Sequence, residues 1–319
     1  MSGSTPSVAV VGGGLMGRGI SAALARAGLD VMIVEPDEAT ADLIRAEAVP
    51  GRHLVTLEDG LRGADIVIEA ITEHPEAKRE LWRRMGGLAG PDTVLASNTS
   101  SLSIDDLAAQ VEHPERVAGM HWFTPAELIR CVEVVRGAST SDDTVAAVFA
   151  LARRAGKGPV TVADSPGFIA NRLQFALLAE ALRCVEEGVA TPAQVDEIVR
   201  TSFGPRLAVL GPFANADLGG LDVYASILRQ LHDGVGAHYP ASGMLQEHVE
   251  HGRLGVKAGA GFADYTPDSA AALRAHRDGT LRAVIALVSA QAKTGLDDGP
   301  WASGASDTAT SRQPRESAP

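Results

Sequence analysis

Cysteine is nearly missing from this chain of 319 residues: only Cys131 and Cys184 occur. They lie far apart and form no C-x-x-C pair, so no metal or redox motif is on offer. Such sparing use of cysteine suits a reducing, cytoplasmic setting. Long apolar runs are missing too. None approaches the roughly 20 residues of a membrane-spanning helix. The opening stretch MSGSTPS lacks the charged and apolar regions of a signal peptide and reads as a loose leader. Basic charge is in deficit. Twenty-eight Lys and Arg stand against 40 Asp and Glu, a net charge of -12, which makes nucleic acid a poor partner. A local basic patch can still serve an anionic small molecule. No internal repeat is visible. With 45% apolar residues, the chain can build one large core or two modest ones.

The first half alternates strand-like and helix-like stretches. SVAVVG, DVMIVEPD, ADIVIEAI, TVLASNTSS, RVAGMHWFTP and RCVEVVRG are apolar runs rich in Val and Ile. GRGISAALARAG, ending at Gly28, and EAKRELWRRMGGLA have helical spacing between them. This alternation predicts a parallel, doubly wound α/β sheet. After about residue 163 strands become scarce. DSPGFIANRLQFALLAEALRCVEEGVA predicts a long helix with an entry turn at Ser165 and Pro166. TPAQVDEIVRTSFG opens on a Thr-Pro pair typical of a helix start. GGLDVYASILRQLHDGV and SGMLQEHVEHGRLG are further helical stretches. The expected domains are therefore 1–163, an α/β unit, and 164–293, mostly helical. The Gly-, Ser-, Thr- and Pro-rich tail 294–319 is expected to be disordered.

One stretch carries a physical signature. In AVVGGGLMGRGIS, residues 9–21, Gly12, Gly14 and Gly17 take the spacing G-x-G-x-x-G between a strand-like run and a helix-like one. The first glycine permits a tight turn. The second lets backbone approach a pyrophosphate, and the third lets the helix pack near the strand. The helix N-terminus, at Leu15 and Met16, then faces the phosphates with free N–H groups. Glu35 ends the second strand. Its carboxylate can accept from adenosine ribose hydroxyls and repels a 2′-phosphate, so NAD is expected rather than NADP.

In a doubly wound sheet the ligands bind beyond the carboxyl ends of the strands. Those ends carry Glu69, Glu73 and His74, then Ser97, Asn98, Ser100 and Ser101, then His121. Glu133 lies inside an apolar strand, where a carboxylate is costly without a partner. His121 is the natural one, and the pair would make an oriented general base. Each feature alone also has a bland reading. His121 could be a satisfied core histidine, Glu133 could face solvent from a strand edge, and SNTSS could be a turn with a helix cap. Together on one cofactor-binding frame they favour catalysis.

The blocks GGGLMGRGIS, ADIVIEAITE, ASNTSSLSI, GMHWFTP, VEVVRG, DSPGFIANRL and GRLGVKAGAGF resemble successive blocks of the 3-hydroxyacyl-CoA dehydrogenase family. They stand in the family order across about residues 8–265. The resemblance implies an N-terminal Rossmann-like domain, a helical C-terminal domain that holds substrate and usually makes a homodimer, and a place in fatty acid metabolism. It implies NAD-dependent oxidation of a β-hydroxyl group to a ketone. By position, His121 matches the family's general base and Glu133 its orienting carboxylate. Ser100 and Asn171 match residues that contact substrate. Glu73 and Lys78 match positions lining the cofactor side, and Asn98 joins that side. No metal is implied.

Two departures bear on the substrate. Where the family has an HFFNP-type block this chain reads HWFTP, with Thr124 in place of an asparagine. The stretch from Glu35 to Asp65 is also too short for the helical hairpin that helps other members hold CoA. An acyl-CoA, a carrier-protein-bound hydroxyacyl group, and a free hydroxy compound such as a sugar acid, carnitine or a pyridine derivative all remain open as substrates. A non-catalytic NAD-binding structural protein is the reading from another class.

Overall fold

A computed structural model describes residues 5–54, 56–239 and 242–292. The tail 294–319 lies outside them. The chain falls into two compact units, one up to Leu178 and one from Ala179.

The first unit contains β1 (Ser7–Val11), α1 (Leu15–Arg26), β2 (Asp30–Val34), α2 (Glu38–Ala46), β3 (Arg52–Leu54), α3 (Leu57–Leu61), β4 (Ile66–Glu69), α4 (Pro75–Leu88), β5 (Val94–Ser97), α5 (Ile104–Ala108), β6 (Val117–Trp122), β7 (Cys131–Arg136), α6 (Asp142–Arg154) and β8 (Gly158–Ala163). The next helix, α7 (Ala170–Glu186), runs through the division between the units. The eight strands form one sheet in the order β3-β2-β1-β4-β5-β6-β7-β8. It is sandwiched between two apolar layers. One holds Ile20, Leu24, Met120, Trp122 and Val148, the other Trp82, Met85, Leu95, Ile104 and Phe168. Helix starts are fixed by Asp37, Thr56, Ser103 and Ser141, whose side chains accept from first-turn N–H groups.

Strands β1 to β6 are parallel to their neighbours, as the βαβ alternation predicts. At β7 the direction reverses, so β6 and β7 are antiparallel while β7 and β8 pair in parallel. The reason is chain length. Only residues 123–130 join β6 to β7, and a parallel crossover needs a dozen or more. The reversal sets His121 directly opposite Glu133 in the pairing register.

Between Glu35 and Asp65 the described residues form α2, β3 and α3, with no added helical hairpin among them. The long helix α7 starts at Ala170, after an entry turn in which Gly167 and Phe168 have φ of +73° and +49°.

The second unit adds α8 (Pro192–Thr201), α9 (Phe203–Val209), α10 (Pro212–Gly219), α11 (Leu221–Gly234), α12 (Gly243–Glu250) and α13 (Pro267–Ala292). Thr191 and Gln194 cap α8 reciprocally. A small core of Ala216, Leu221 and Leu245 sits beside Tyr224, Leu228 and Phe262. Buried Asp217 accepts from the Phe262 and Ala263 N–H groups and the Tyr265 hydroxyl, pinning the glycine-rich loop to α10. Sequence periodicity missed α13. Its alanines and arginines surround the helix instead of forming one apolar stripe, so helix propensity rather than amphipathic pattern carries it.

Candidate active site

The strand order reverses direction between β1 and β4, and the glycine turn sits at that point. Gly12 has φ +107°, and a Cβ there would come within 2.7 Å of the Ala70 carbonyl oxygen. A Cβ on Gly17 would stand 1.8 Å from the Gly12 oxygen. Gly14 differs: its Cβ would meet nothing within 4 Å. It is the N-cap of α1, with no side-chain cap and no acidic residue in the first turn. The helix therefore offers uncapped N–H groups of Leu15, Met16 and Gly17 beside an open cradle, which fits a pyrophosphate. Glu35 lies just beyond β2. Its carboxylate accepts from the Gly13 and Asp37 N–H groups, each at 2.8 Å, so the acid is fixed against the turn it is expected to serve.

Alternation along β6 puts Met120 and Trp122 in the layer with α1. His121 between them faces the other layer, with ring centroids 4.5 Å from Phe123 and 5.6 Å from Phe168. It is 3% exposed, as is Glu133. His121 Nδ1 lies 2.8 Å from Glu133 Oε2. Glu133 Oε1 accepts from the N–H groups of Ile169, at 3.0 Å, and Ala170, at 2.9 Å, where α7 begins. The left-handed backbone at Gly167 and Phe168 turns these amides toward the carboxylate. One acid thus meets the ring on one side and a helix N-terminus on the other, where an anion is stabilised. His121 Nε2 makes no hydrogen bond among the described residues.

Asn171 follows at once, and its Nδ2 donates to the Ser100 carbonyl at 3.0 Å. The Ser100 and Ser101 N–H groups donate to Glu73 Oε1, at 2.8 and 3.0 Å, and the Thr99 hydroxyl donates to the same oxygen. Burial alone would raise the Glu73 carboxyl. The Thr99 hydroxyl, the Lys78 ammonium and the Ser100 amide outweigh it and hold the group at about 2. Lys78 is 1% exposed, and its Nζ reaches Glu69 at 2.6 Å and Glu73 at 3.1 Å. Asn98 Oδ1 accepts from the Trp122 N–H at 2.9 Å and ties the ends of β5 and β6 together. The Thr124 hydroxyl donates to Met16 sulfur at 3.0 Å, bringing the departure from the family block to the glycine turn.

His121 with Glu133 and Asn171 with Ser100 are thus two hydrogen-bonded pairs that meet at the start of α7, where Ala170 donates to Glu133 and Asn171 to the Ser100 carbonyl, and the glycine turn with Glu35 forms a second group. Lys78 is paired with both Glu69 and Glu73. Sequence reasoning missed the amides of Ile169 and Ala170, because backbone groups carry no residue signature. It also missed Phe123 and Phe168 as walls around the imidazole. A positive φ at a non-glycine residue has no sequence signal beyond the preceding Pro-Gly pair.

A doubly wound sheet with this turn at its switch point defines a dinucleotide-binding domain, here joined to a helical unit. Residues 7–49 and 46–165 match the family described as 3-hydroxyacyl-CoA dehydrogenase, NAD binding domain. Residues 167–265 match its C-terminal domain. A probable 3-hydroxybutyryl-CoA dehydrogenase of Bacillus subtilis is 40% identical over 81% of this chain and 96% of its own length. The 5-formyl-3-hydroxy-2-methylpyridine 4-carboxylate 5-dehydrogenase of Mesorhizobium japonicum is 37% identical over 87% of this chain and 96% of its own. The crystal structure of a 3-hydroxyacyl-CoA dehydrogenase from Archaeoglobus fulgidus superposes with a TM-score of 0.77 at 33% identity, covering 87% of this chain and 98% of that one. The chain belongs to the 3-hydroxyacyl-CoA dehydrogenase family. It is an NAD-dependent oxidoreductase.

Proposed function

We propose that the protein oxidises the β-hydroxyl of a 3-hydroxyacyl group to a ketone, with His121 as general base. The observation that carries this reading is the buried His121–Glu133 pair at the carboxyl end of β6. Glu133 fixes the ring proton on Nδ1 and leaves the Nε2 lone pair to take the hydroxyl proton. The imidazolium that forms is stabilised by the same carboxylate, itself held by two amides. The Ser100 hydroxyl and the Asn171 amide hold the reacting oxygen where charge develops. Bound NAD supplies the hydride acceptor. Gly12, Gly14 and Gly17 with Leu15 and Met16 hold its phosphates, and Glu35 holds the adenosine ribose. Reduction of the ketone uses the same groups in reverse.

The domain division 1–163 and 164–293, a cytoplasmic setting and a homodimer belong to the same proposal. No described helix is long and apolar enough to cross a membrane. Supporting the dimer, α7 has no buried residue in the isolated chain, yet Leu173, Phe175, Leu177 and Leu182 are all exposed. A second copy of the chain would cover such apolar side chains.

A second reading of the substrate has its own support. Without a hairpin between Glu35 and Asp65 less remote binding energy is available from CoA, and the Mesorhizobium relative is named for a pyridine carboxylate. The test follows NADH formation with 3-hydroxybutyryl-CoA, its truncated pantetheine thioester and free hydroxy acids. The CoA thioester should lead only modestly in kcat/KM. An advantage of several orders of magnitude would remove the second reading. No turnover of any hydroxy compound, with NAD still bound, would overturn the proposed reaction at His121.

A further inference from the structure

We propose that Lys157 is a positioning residue for the His121–Glu133 pair. It gathers the link between β6 and β7 and so seats Phe123 against the imidazole. The proposal rests on the reading of His121 as general base.

Lys157 stands just before β8 and is 6% exposed. A buried ammonium is costly unless its three donors are met. Here backbone meets them all. Lys157 Nζ donates to the carbonyls of Ala126, Glu127 and Ile129, the last at 2.8 Å. Among the described residues those carbonyls accept from no other group. The ammonium also stands 5.3 Å from the centre of the Trp122 ring, within reach of a cation–π attraction. Burial pushes the Lys157 pKa below the ordinary lysine range, and the charge of Glu127 opposes the shift. Trp122 belongs to the layer with α1, whereas His121 faces the other layer. The amine therefore acts on the link and not on the reacting groups.

Residues 123–130 form that link between two antiparallel strands. It is longer than the roughly two to five residues whose turn type fixes a hairpin by itself. Inside it the Leu128 and Ile129 amides donate to the Pro125 carbonyl, at 3.1 and 3.0 Å. Lys157 adds three bonds from outside and so holds residues 126–129 in place. Ala126 is buried in the layer with α1, and a Cβ on Gly19 would come within 3.0 Å of the Ala126 Cβ, so the link lies flush against that helix. Two residues earlier the Thr124 hydroxyl meets Met16 sulfur. One residue earlier again, Phe123 lies on the imidazole with ring centroids 4.5 Å apart. Glu133 holds the ring through Nδ1, and Phe123 limits its tilt. A link freed at Ala126 and Glu127 is free to withdraw Phe123, three residues away. Lys157 touches neither member of the pair and acts through the link alone.

Lys157→Met keeps the stem and removes the ammonium. Lys157→Gln keeps two donors on a shorter stem, and it carries the same readouts should the methionine variant fail to fold. Both are made in the full-length protein. Nuclear magnetic resonance of the His121 ring protons, identified by their loss in His121→Ala, reads the place of Phe123 through its ring current. In Lys157→Met these resonances should move toward the positions they take in Phe123→Ala, while the β6 and β7 amides stay protected from exchange. At saturating NAD and hydroxy substrate, kcat should fall about tenfold in Lys157→Met and in Phe123→Ala. The double variant should fall at most about threefold further, because both changes act through one contact. Falls that multiply toward about a hundredfold overturn the proposal, and so do unmoved ring protons or an unchanged kcat. Unprotected β6 and β7 amides with kcat per folded molecule intact also overturn it and leave Lys157 a stabilising residue only. Should the wild type oxidise no hydroxy compound, it is the reading of His121 as base that fails, and the ring protons still decide whether Lys157 places Phe123.

Discussion

Replacing Glu133 by glutamine separates charge from shape at the dyad. The side chain is buried, with Oε2 at 2.8 Å from His121 Nδ1 and Oε1 accepting from two amides. A glutamine has one satisfactory orientation there. Its oxygen must stay with the Ile169 and Ala170 N–H groups, because an NH2 placed there would face two donors. The NH2 then points at Nδ1 and donates to it, so the ring proton moves to Nε2. That is the atom which has to accept the substrate proton. The variant holds the wrong tautomer and also lacks the anion that stabilises the imidazolium. Loss of a general base costs about 10²–10⁴ in rate, and a locked tautomer falls toward about 10⁴. Stability changes less. A charged hydrogen bond worth about 1.5–3 kcal/mol is exchanged for a neutral one worth about 0.5–1.5 kcal/mol, a net loss of about 1–2 kcal/mol. Glu133→Ala leaves both amides without an acceptor and opens a void, so it should lose about 3–5 kcal/mol. Initial rates of NADH formation at saturating NAD, with urea unfolding of each variant, measure both. A folded Glu133→Gln protein with kcat within about threefold of wild type would refute the tautomer argument.

Gly14→Ala should fold normally but bind NAD poorly, because its Cβ enters only the open cradle, whereas Gly17→Ala should fail to fold or melt well below wild type, its Cβ lying 1.8 Å from a carbonyl oxygen; thermal melts and NAD titration of both check this. Glu35→Ala should narrow the kcat/KM preference for NAD over NADP, and equal efficiencies in the wild type would remove Glu35 from that role. Glu73, held at about 2 against 4.5, has a depressed folded pKa. Its contribution to stability is full above 4.5 and is lost as pH falls from 4.5 toward 2, so the advantage of wild type over Glu73→Gln in urea should shrink between about pH 6 and about pH 3. Sedimentation at micromolar concentration should give a dimer, and a monomer would leave the exposed apolar side chains of α7 unexplained.

Much of the first unit was legible in the sequence because its signals are local. Apolar runs announced the strands and the G-x-G-x-x-G spacing announced the turn. A carboxylate in an apolar strand announced a buried partner. The reversal at β7 could have been read from the eight-residue link, since length alone forbids a parallel crossover. Other features are not local. That Lys78 is buried between Glu69 and Glu73 depends on packing between α4 and β4, and nothing in the letters shows it. The entry turn before α7 runs on beyond Ser165 and Pro166, because it spends two further residues in left-handed backbone and one of them is Phe168. The helix α13 escaped notice for lack of an apolar stripe.

The central claim is that His121 moves the proton and does not hold the cofactor. Measuring NAD binding and turnover in His121→Ala tests it most directly. The account predicts an NAD Kd close to wild type, with kcat lower by about 10²–10⁴ on the same hydroxy substrate. Near-normal turnover by the folded variant would contradict it.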